Sequence, residues 1–429
     1  MNICVIGTGY VGLVAGVCFA NFGHNVICVD NDAQKIENLK KGIVPIFEQN
    51  LEDLIKKNVS TGRLSFSDDI SFAVKNSIVC YIAVGTPESN DGHADLNSVF
   101  DVAQQIAKSI DSYKVVVIKS TVPVGTAHRV ESIIKNQTNA EFDVVSNPEF
   151  LRQGVAINDF ISPDRVIIGS NSARATKIME EIYADFNAPI VIMDVKSSEM
   201  TKYASNSFLA MKISFANEIA NICDKTGADV KSVLDGMSFD KRIGSSFLSP
   251  GLGFGGSCFP KDVKALYTLA QDFNYDAKIL KSVDFVNVNQ SEIFIQKIKE
   301  RFADVSGLKF CVLGVAFKPE TNDIRQAPSV SVIKSLLNLG ANVVACDPKA
   351  LDSAKKIFKD EIEYEIDPYK ALKNADSLLL ITQWQEFLEL DFQKVSKVMK
   401  QKIIFDGRNV YNAQSVRNLG FEYFGIGCR

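Results

Sequence analysis

Cys258 lies in Gly253-Phe254-Gly255-Gly256-Ser257-Cys258-Phe259-Pro260-Lys261-Asp262, a glycine-rich stretch that runs into a proline. Proline is tolerated at the first helical position, so Pro260 predicts a helix start that leaves Cys258 at or just before the N-cap. Free backbone N–H groups and the helix dipole favour a thiolate there, which is the setting of a nucleophile. The plainer role for a cysteine is apolar packing beside a turn. Gly251, Gly253, Gly255 and Gly256 leave room for a ligand against the backbone. A second constellation opens the chain, where Gly7-Thr8-Gly9-Tyr10-Val11-Gly12 follows the apolar run Asn2–Ile6, and Asp30 stands 23 residues beyond Gly7. Such a turn admits a pyrophosphate, and an acid at that distance binds ribose hydroxyls and repels a 2′-phosphate, which favours NAD over NADP. Lys202 and Asn206 form a third, four residues apart and so on one helix face. An ammonium and an amide on an otherwise apolar helix could stabilise an alkoxide during hydride transfer or acyl chemistry, or form a solvated strip.

The elements that must position these groups read as strands alternating with helices, twice over. Strands are predicted over Asn2–Ile6, Val26–Val29, Ile78–Ala83, Lys114–Lys119, Asp143–Ser146, Val166–Gly169 and Pro189–Met193. The Val/Ile runs suit parallel strands buried on both faces. A long helix follows, from about Ser197 to Lys225, apolar around most of its girth (Met200, Leu209, Met211, Ile213, Phe215, Ala216, Ile219, Ile222). That pattern predicts burial between domains and between subunits. A second block adds strands Lys309–Leu313, Asn342–Cys346, Ser377–Leu380 and Lys402–Phe405 and the helix Pro328–Leu339. The fold class is therefore α/β, with two Rossmann-like doubly wound domains joined by a long central helix and a helical core. Ligands of such sheets bind at the carboxyl ends of strands. The segments there are Val84-Gly85-Thr86-Pro87, Lys119-Ser120-Thr121-Val122-Pro123 and Asn147-Pro148-Glu149-Phe150-Leu151-Arg152. Thr121 is a hydroxyl near a nicotinamide or a turn residue, and Glu149 a general base or a cap.

Composition narrows the class. A net charge of −4 with mixed signs gives no basic footprint for nucleic acid and no polybasic membrane patch. No apolar run reaches the roughly 18 residues of a membrane span. The opening strand has no charged leader, so a cytoplasmic location is expected. Nine cysteines without CxxC spacing read as reduced thiols, with neither a disulfide frame nor a metal site. With three histidines (His24, His93, His128), histidine catalysis is not expected.

The motifs GTGYVG, VGTP, KSTVPVGT, NPEFL, KYASNSFLA, GFGGSCFPKD, FKPETNDIR and DGR, in that order along essentially the whole chain, resemble the UDP-glucose/GDP-mannose dehydrogenase family. Within that family they resemble its UDP-glucose 6-dehydrogenases. The resemblance implies an NAD-binding domain over 1–196, a central helical dimerisation domain over 197–302 and a UDP-sugar domain over 303–429. It implies a homodimer that oxidises UDP-glucose to UDP-glucuronate through a Cys258 thiohemiacetal and thioester. Lys202 and Asn206 would stabilise oxyanions, Asp262 and Thr121 would hold a water or proton relay, and Glu149 would assist acyl transfer or hydrolysis. Asp262 opposes the thiolate, so Lys202 and the helix dipole would have to outweigh it. NAD would contact Gly7, Gly9, Tyr10, Val11, Gly12, Asp30, Lys35, Thr86, Pro87, Ser120, Thr121, Gln153 and, reaching back from the far domain, Arg325. The sugar nucleotide would meet Glu149, Phe150, Leu151, Lys202, Asn206, Arg242 (of the same or a neighbouring subunit), Ser249, Gly253, Phe254, Gly255, Phe317, Lys318 and Arg408. Many relatives carry a second glutamate four residues after Glu149; this chain has Gln153, which predicts altered NAD affinity. The competing expectations are a GDP-mannose 6-dehydrogenase, which shares the thiol chemistry, and a non-catalytic NAD-binding sensor. A two-electron β-hydroxyacid dehydrogenase would have no use for Cys258.

Overall fold

Fourteen strands form two sheets in the computed structural model, which describes residues 1–428. The first sheet holds β1 (Asn2–Ile6), β2 (Asn25–Val29), β3 (Leu64–Ser67), β4 (Val79–Ile82), β5 (Lys114–Ile118), β6 (Phe142–Ser146), β7 (Val166–Gly169) and β8 (Ile190–Met193). Their order is β3-β2-β1-β4-β5-β6-β7-β8, parallel except where β6 meets β7. The second sheet holds β9 (Lys309–Leu313), β10 (Asn342–Cys346), β11 (Glu363–Glu365), β12 (Ser377–Leu380), β13 (Ile403–Asp406) and β14 (Glu422–Phe424), in the order β11-β10-β9-β12-β13-β14. The first six strands of one sheet and all six of the other thus repeat the 3-2-1-4-5-6 order of doubly wound folds. In both, the order reverses beside the first strand, the switch point at whose carboxyl ends sheets of this kind take ligands.

Burial follows the sequence pattern closely. Every residue of β5 is buried, as its unbroken Val/Ile run requires of a strand covered on both faces. Observed strands stop slightly short of the predicted ends at Ala83 and Lys119. Each of those residues keeps one ladder bond, to the carbonyls of Ile6 and Ile82, and then turns into a loop. Seven of the nine cysteines are buried, and Cys258 and Cys428 are half-buried. Burial pushes the thiols of Cys18 and Cys28 up to about 12.

The chain divides into two compact units, Met1–Ser205 and the remainder from Asn206. The long helix is observed over Val195–Thr226, slightly longer at each end than predicted. In the first unit Glu199 fixes its opening turns: the carboxylate accepts from the N–H groups of Gly125 (2.6 Å) and Ala127 (2.8 Å) at the head of the helix Thr126–Lys135. In the second unit it packs on the helix Lys278–Phe302, with Ser214 donating to the Val283 carbonyl at 2.8 Å. Within the single chain the apolar girth of this helix is not wholly covered. Phe208, Phe215 and Ile222, seven residues apart, form a stripe that stays 57, 44 and 51% exposed, and Met200 is also exposed. A seven-residue spacing keeps these side chains on one face, and this chain alone does not cover it. On the partner helix Ile279, Phe285 and Val288 are likewise exposed.

Candidate active site

The dinucleotide turn is built by contact distances that only glycine satisfies. Gly7 adopts φ +102°, and a Cβ on Gly12 would lie 1.9 Å from the Gly7 carbonyl oxygen. That carbonyl faces the first turn of the helix Tyr10–Asn21, whose N-cap, Gly9, carries no side-chain cap. The helix N–H groups therefore remain available to an anion. Asp30, just past β2, accepts from the Thr8 N–H (2.8 Å) and Thr8 hydroxyl (2.7 Å) and pairs with Lys35 (2.8 Å). Burial alone would raise its pKa, but Lys35 and the Thr8 donors outweigh that and hold it below the ordinary carboxylate range. A bare glycine turn, an uncapped helix head and an ionised acid at the next strand end fit a dinucleotide with free ribose hydroxyls.

Around this turn the other candidates of the first unit converge. The Thr86 hydroxyl donates to the Thr121 carbonyl at 2.8 Å, and the Ser120 hydroxyl to the Val84 carbonyl at 2.7 Å. These bonds tie the loop after β4, which includes Pro87, to the loop after β5. The Tyr10 hydroxyl meets the Glu48 carboxylate, and both accept from the Gly154 N–H beside half-buried Gln153. Glu48, buried in the loop before Leu51, is not singled out by the sequence, because an isolated loop glutamate carries no pattern. Beyond β6, Glu149 is 6% exposed; one oxygen meets the Lys202 ammonium at 3.1 Å and the other accepts from the Leu151 N–H at 2.5 Å. Its burial would raise the pKa, yet Lys202, the Leu151 N–H and Lys119 together bring it below the usual range. Phe150 receives Arg165 on its ring face, 3.6 Å from the centroid, with the Lys202 ammonium 5.1 Å from the same ring.

In the second unit Cys258 is the N-cap of the helix Phe259–Asp272, with Pro260 in its first turn. The Ser257 hydroxyl lies 3.7 Å from its sulfur. Asp262, one turn on, is 1% exposed and accepts from Asn206 (2.7 Å) and Lys261 (2.5 Å). The ammonium paired with Asp262 is that of Lys261, its neighbour, while that of Lys202 pairs with Glu149. The glycines before Cys258 are pinned by close approach. A Cβ on Gly256 would sit 2.9 Å from the Phe317 ring, and the Gly256 N–H donates to the Arg325 carbonyl at 2.8 Å. The Arg325 guanidinium forms a fork with Asp323 and also feels Cys258 electrostatically. Asn287 clasps the Phe254 backbone through both its amide groups, at 2.7 and 3.0 Å, and Asn217 accepts from the Gly251 N–H at 2.7 Å. Arg408 donates to the carbonyls of Ile381 (2.6 Å) and Gly253 (3.5 Å), and its burial lowers its pKa to about 10. The Lys318 ammonium stands 5.7 Å from the Phe317 ring.

Gly253, Phe254, Gly255, Phe317, Arg325 and Arg408 are thus gathered around the loop that carries Cys258. Two candidates are not. Arg242 is 88% exposed and paired with Asp240 within its own turn, and Ser249 is exposed. Among the described residues no cluster of potential ligands could hold a metal ion.

Two sheets of the dinucleotide-binding order, one with a glycine turn and a strand-end carboxylate that suit a dinucleotide, fit a nicotinamide-dependent dehydrogenase. Comparison with known proteins gives the family. The NAD binding, central and UDP binding domains of the UDP-glucose/GDP-mannose dehydrogenase family match residues 1–187, 196–289 and 311–413, and the chain belongs to this family. It is 47% identical over 428 residues to UDP-glucose 6-dehydrogenase TuaD of Bacillus subtilis, covering 99% of this chain and 93% of that one. It is 48% identical to the UDP-glucose 6-dehydrogenase of Rhizobium meliloti, covering 100 and 99%. A solved UDP-glucose dehydrogenase from Pyrobaculum islandicum superimposes with a TM-score of 0.94 at 37% identity, covering 100 and 98%. The protein is an NAD-dependent dehydrogenase, and the sensor reading is set aside.

Proposed function

We propose that the protein oxidises C6 of UDP-glucose twice, from alcohol to carboxylate, with Cys258 as the acyl carrier. NAD supplies the hydride acceptor for each oxidation. In the first, C6 loses a hydride and its hydroxyl a proton, and Lys202 and Asn206 would stabilise the developing oxyanion. The Cys258 thiolate then forms a C–S bond to the aldehyde carbon. Loss of a second hydride from that adduct leaves a thioester, and water breaks the C–S bond to release UDP-glucuronate and the thiol. Asp262 and Thr121 would hold the water or relay its proton, and Glu149 would assist hydrolysis. A covalent intermediate retains the reactive aldehyde and gives the oxidation a direction. The observation that carries this reading is Cys258 at a helix N-cap one turn from the buried Asp262–Asn206–Lys261 cluster.

Phe317, Lys318 and Arg408, with the backbone from Ser249 to Gly255, would take the nucleotide. Domain limits of 1–196, 197–302 and 303–429 and a cytoplasmic homodimer complete the proposal; no described helix is long and apolar enough to cross a membrane. The exposed Phe208–Phe215–Ile222 stripe supports dimerisation, which sedimentation of Phe215→Asp would test by loss of the dimer. The function is tested by NADH formed with limiting sugar nucleotide and excess NAD. Two NADH per UDP-glucose, with the uronate as product, are expected. One NADH would remove Cys258 from its role, and turnover of GDP-mannose alone would overturn the substrate.

A further inference from the structure

Lys119 has no part in the reaction described so far, yet it is 3% exposed at the end of β5. Its ammonium donates to the Asn147 carbonyl (3.2 Å) and to the Asn147 side-chain oxygen (3.1 Å). It also lies 6.0 and 5.8 Å from the ring centroids of Tyr81 and Phe160. Asn147 is itself locked: its side-chain oxygen also accepts from the Tyr183 hydroxyl (2.6 Å), and its amide nitrogen donates to the Ile167 carbonyl (2.7 Å). Two residues beyond Asn147 comes Glu149, whose carboxylate pairs with the Lys202 ammonium at 3.1 Å. One buried carboxylate thus lies within electrostatic reach of two buried ammoniums. A pair would satisfy charge balance, and a second buried cation is unfavourable unless something compensates it.

The reading that Lys202 stabilises a substrate oxyanion supplies the reason, and the inference rests on it. When the Lys202 ammonium turns toward an oxyanion, Glu149 loses part of its partner, and a buried carboxylate without a cation takes up a proton or moves. We propose that Lys119 is a positioning residue that holds Glu149 ionised and in place while Lys202 serves the oxyanion. The strand ends are rigid enough for this role, since the Lys119 N–H is bonded to the Ile82 carbonyl and the Asn147 N–H to that of Ile118, both at 2.9 Å.

The groups that face Lys119 are Tyr81 from β4, Asn147 and Glu149 beyond β6, Phe160 from the helix Ala156–Ile161, Tyr183 after the helix Ala173–Ile182, and Lys202. Burial holds both tyrosines well above their ordinary range, so they stay neutral where Lys119 titrates. Burial, reinforced by Lys202 and resisted by Glu149, brings Lys119 down to about 8. The wild-type protein therefore loses this charge as pH rises through that value.

Lys119→Gln keeps a donor to Asn147 without the charge, Lys119→Met removes both, and Lys119→Arg keeps the charge. Steady-state rates from pH 7 to 9.5, using whichever sugar nucleotide the wild type oxidises, separate the roles. At pH 7 both neutral variants are expected to lose about 10- to 100-fold in kcat with the KM for NAD within about threefold, and Lys119→Arg to recover most of the loss. Their deficit narrows as pH rises through about 8, because the wild type sheds the same charge. A wild-type kcat in Lys119→Gln at pH 7, or a deficit independent of pH, overturns the proposal. So does loss of NAD binding and cooperative unfolding in both neutral variants, which would make Lys119 a purely structural residue. Wild-type NADH yield is read separately: one per sugar overturns the thioester reading, while the Lys119 ratios still decide on the first oxidation.

Discussion

The two sheets share a strand order and differ in what stands at the carboxyl end of their second strand. Asp30 follows β2 and Asp347 follows β10, and each reaches back to the loop after the first strand of its own sheet. Asp30 meets Thr8 and the ammonium of Lys35 near the surface, with relative exposure of 9%. Asp347 has no exposure: it accepts from the N–H groups of Val315, Ala316, Lys349 and Ala350 and from the indole of Trp384. The first loop turns at once into a helix through Gly7–Gly12. The second runs from Gly314 to Ala327 before its helix Pro328–Asn338 begins, and presents Phe317, Lys318 and Arg325 instead. One scaffold therefore leaves its carboxylate near the surface, placed as a ribose ligand would need to be, while its duplicate uses the equivalent carboxylate to brace a longer loop. Fold order alone would assign both sheets the same ligand; the hydrogen bonds of the two aspartates do not.

The contrast can be broken most severely at Cys258. Cys258→Ala should lower NADH-forming turnover to the acid by at least about 10³-fold. NAD affinity, a property of the first sheet, should stay within about twofold by fluorescence titration, since a hundredfold loss there would merge the two roles. Next comes the pair of aspartates. Asp30→Ala should raise the KM for NAD by roughly 10- to 100-fold, because a charged hydrogen bond is worth about 1.5–3 kcal/mol. Asp347→Ala should instead lower unfolding stability by roughly 2–5 kcal/mol, since it strands several buried donors. Equal effects of both on NAD affinity would erase the distinction. The smallest effect is expected at Gln153: Gln153→Glu should change the KM for NAD by about two- to fivefold with kcat preserved, in keeping with one exposed or half-exposed contact.

Much of this was legible in the sequence because the chemistry depends on local pattern. Gly7, Gly9, Gly12 and Asp30 mark by their spacing a turn of the kind that suits a dinucleotide, and the glycine contacts and hydrogen bonds agree with that turn. Pro260 after Cys258 fixes the helix start, and the apolar runs, Val/Ile-rich in β5, give β5 and β9 almost to the residue. What escaped depends on contacts distant in sequence. Lys119 is visible only as the last residue of a predicted strand, and its burial comes from Asn147, Tyr81 and Phe160, which close around it. Glu48 gains its meaning only from Tyr10 and Gly154. Lys261 is displaced from notice by Cys258 and Asp262 on either side, although it is the cation that makes Asp262 tolerable. For the long helix, periodicity says which residues share a face, not what covers it.

The distribution of sulfur gives the molecule an unplanned chemoselectivity. Seven thiols are sealed in the interior, and that of Cys428 is pushed up to about 11, so it is almost wholly protonated at neutral pH. Of the two half-open sulfurs a soft electrophile meets in the folded chain, only that of Cys258 stands at the head of a helix. Without any engineered removal of cysteines, the protein should behave toward alkylating reagents as though it contained a single cysteine. Covalent probes and oxidants alike would then report on one position.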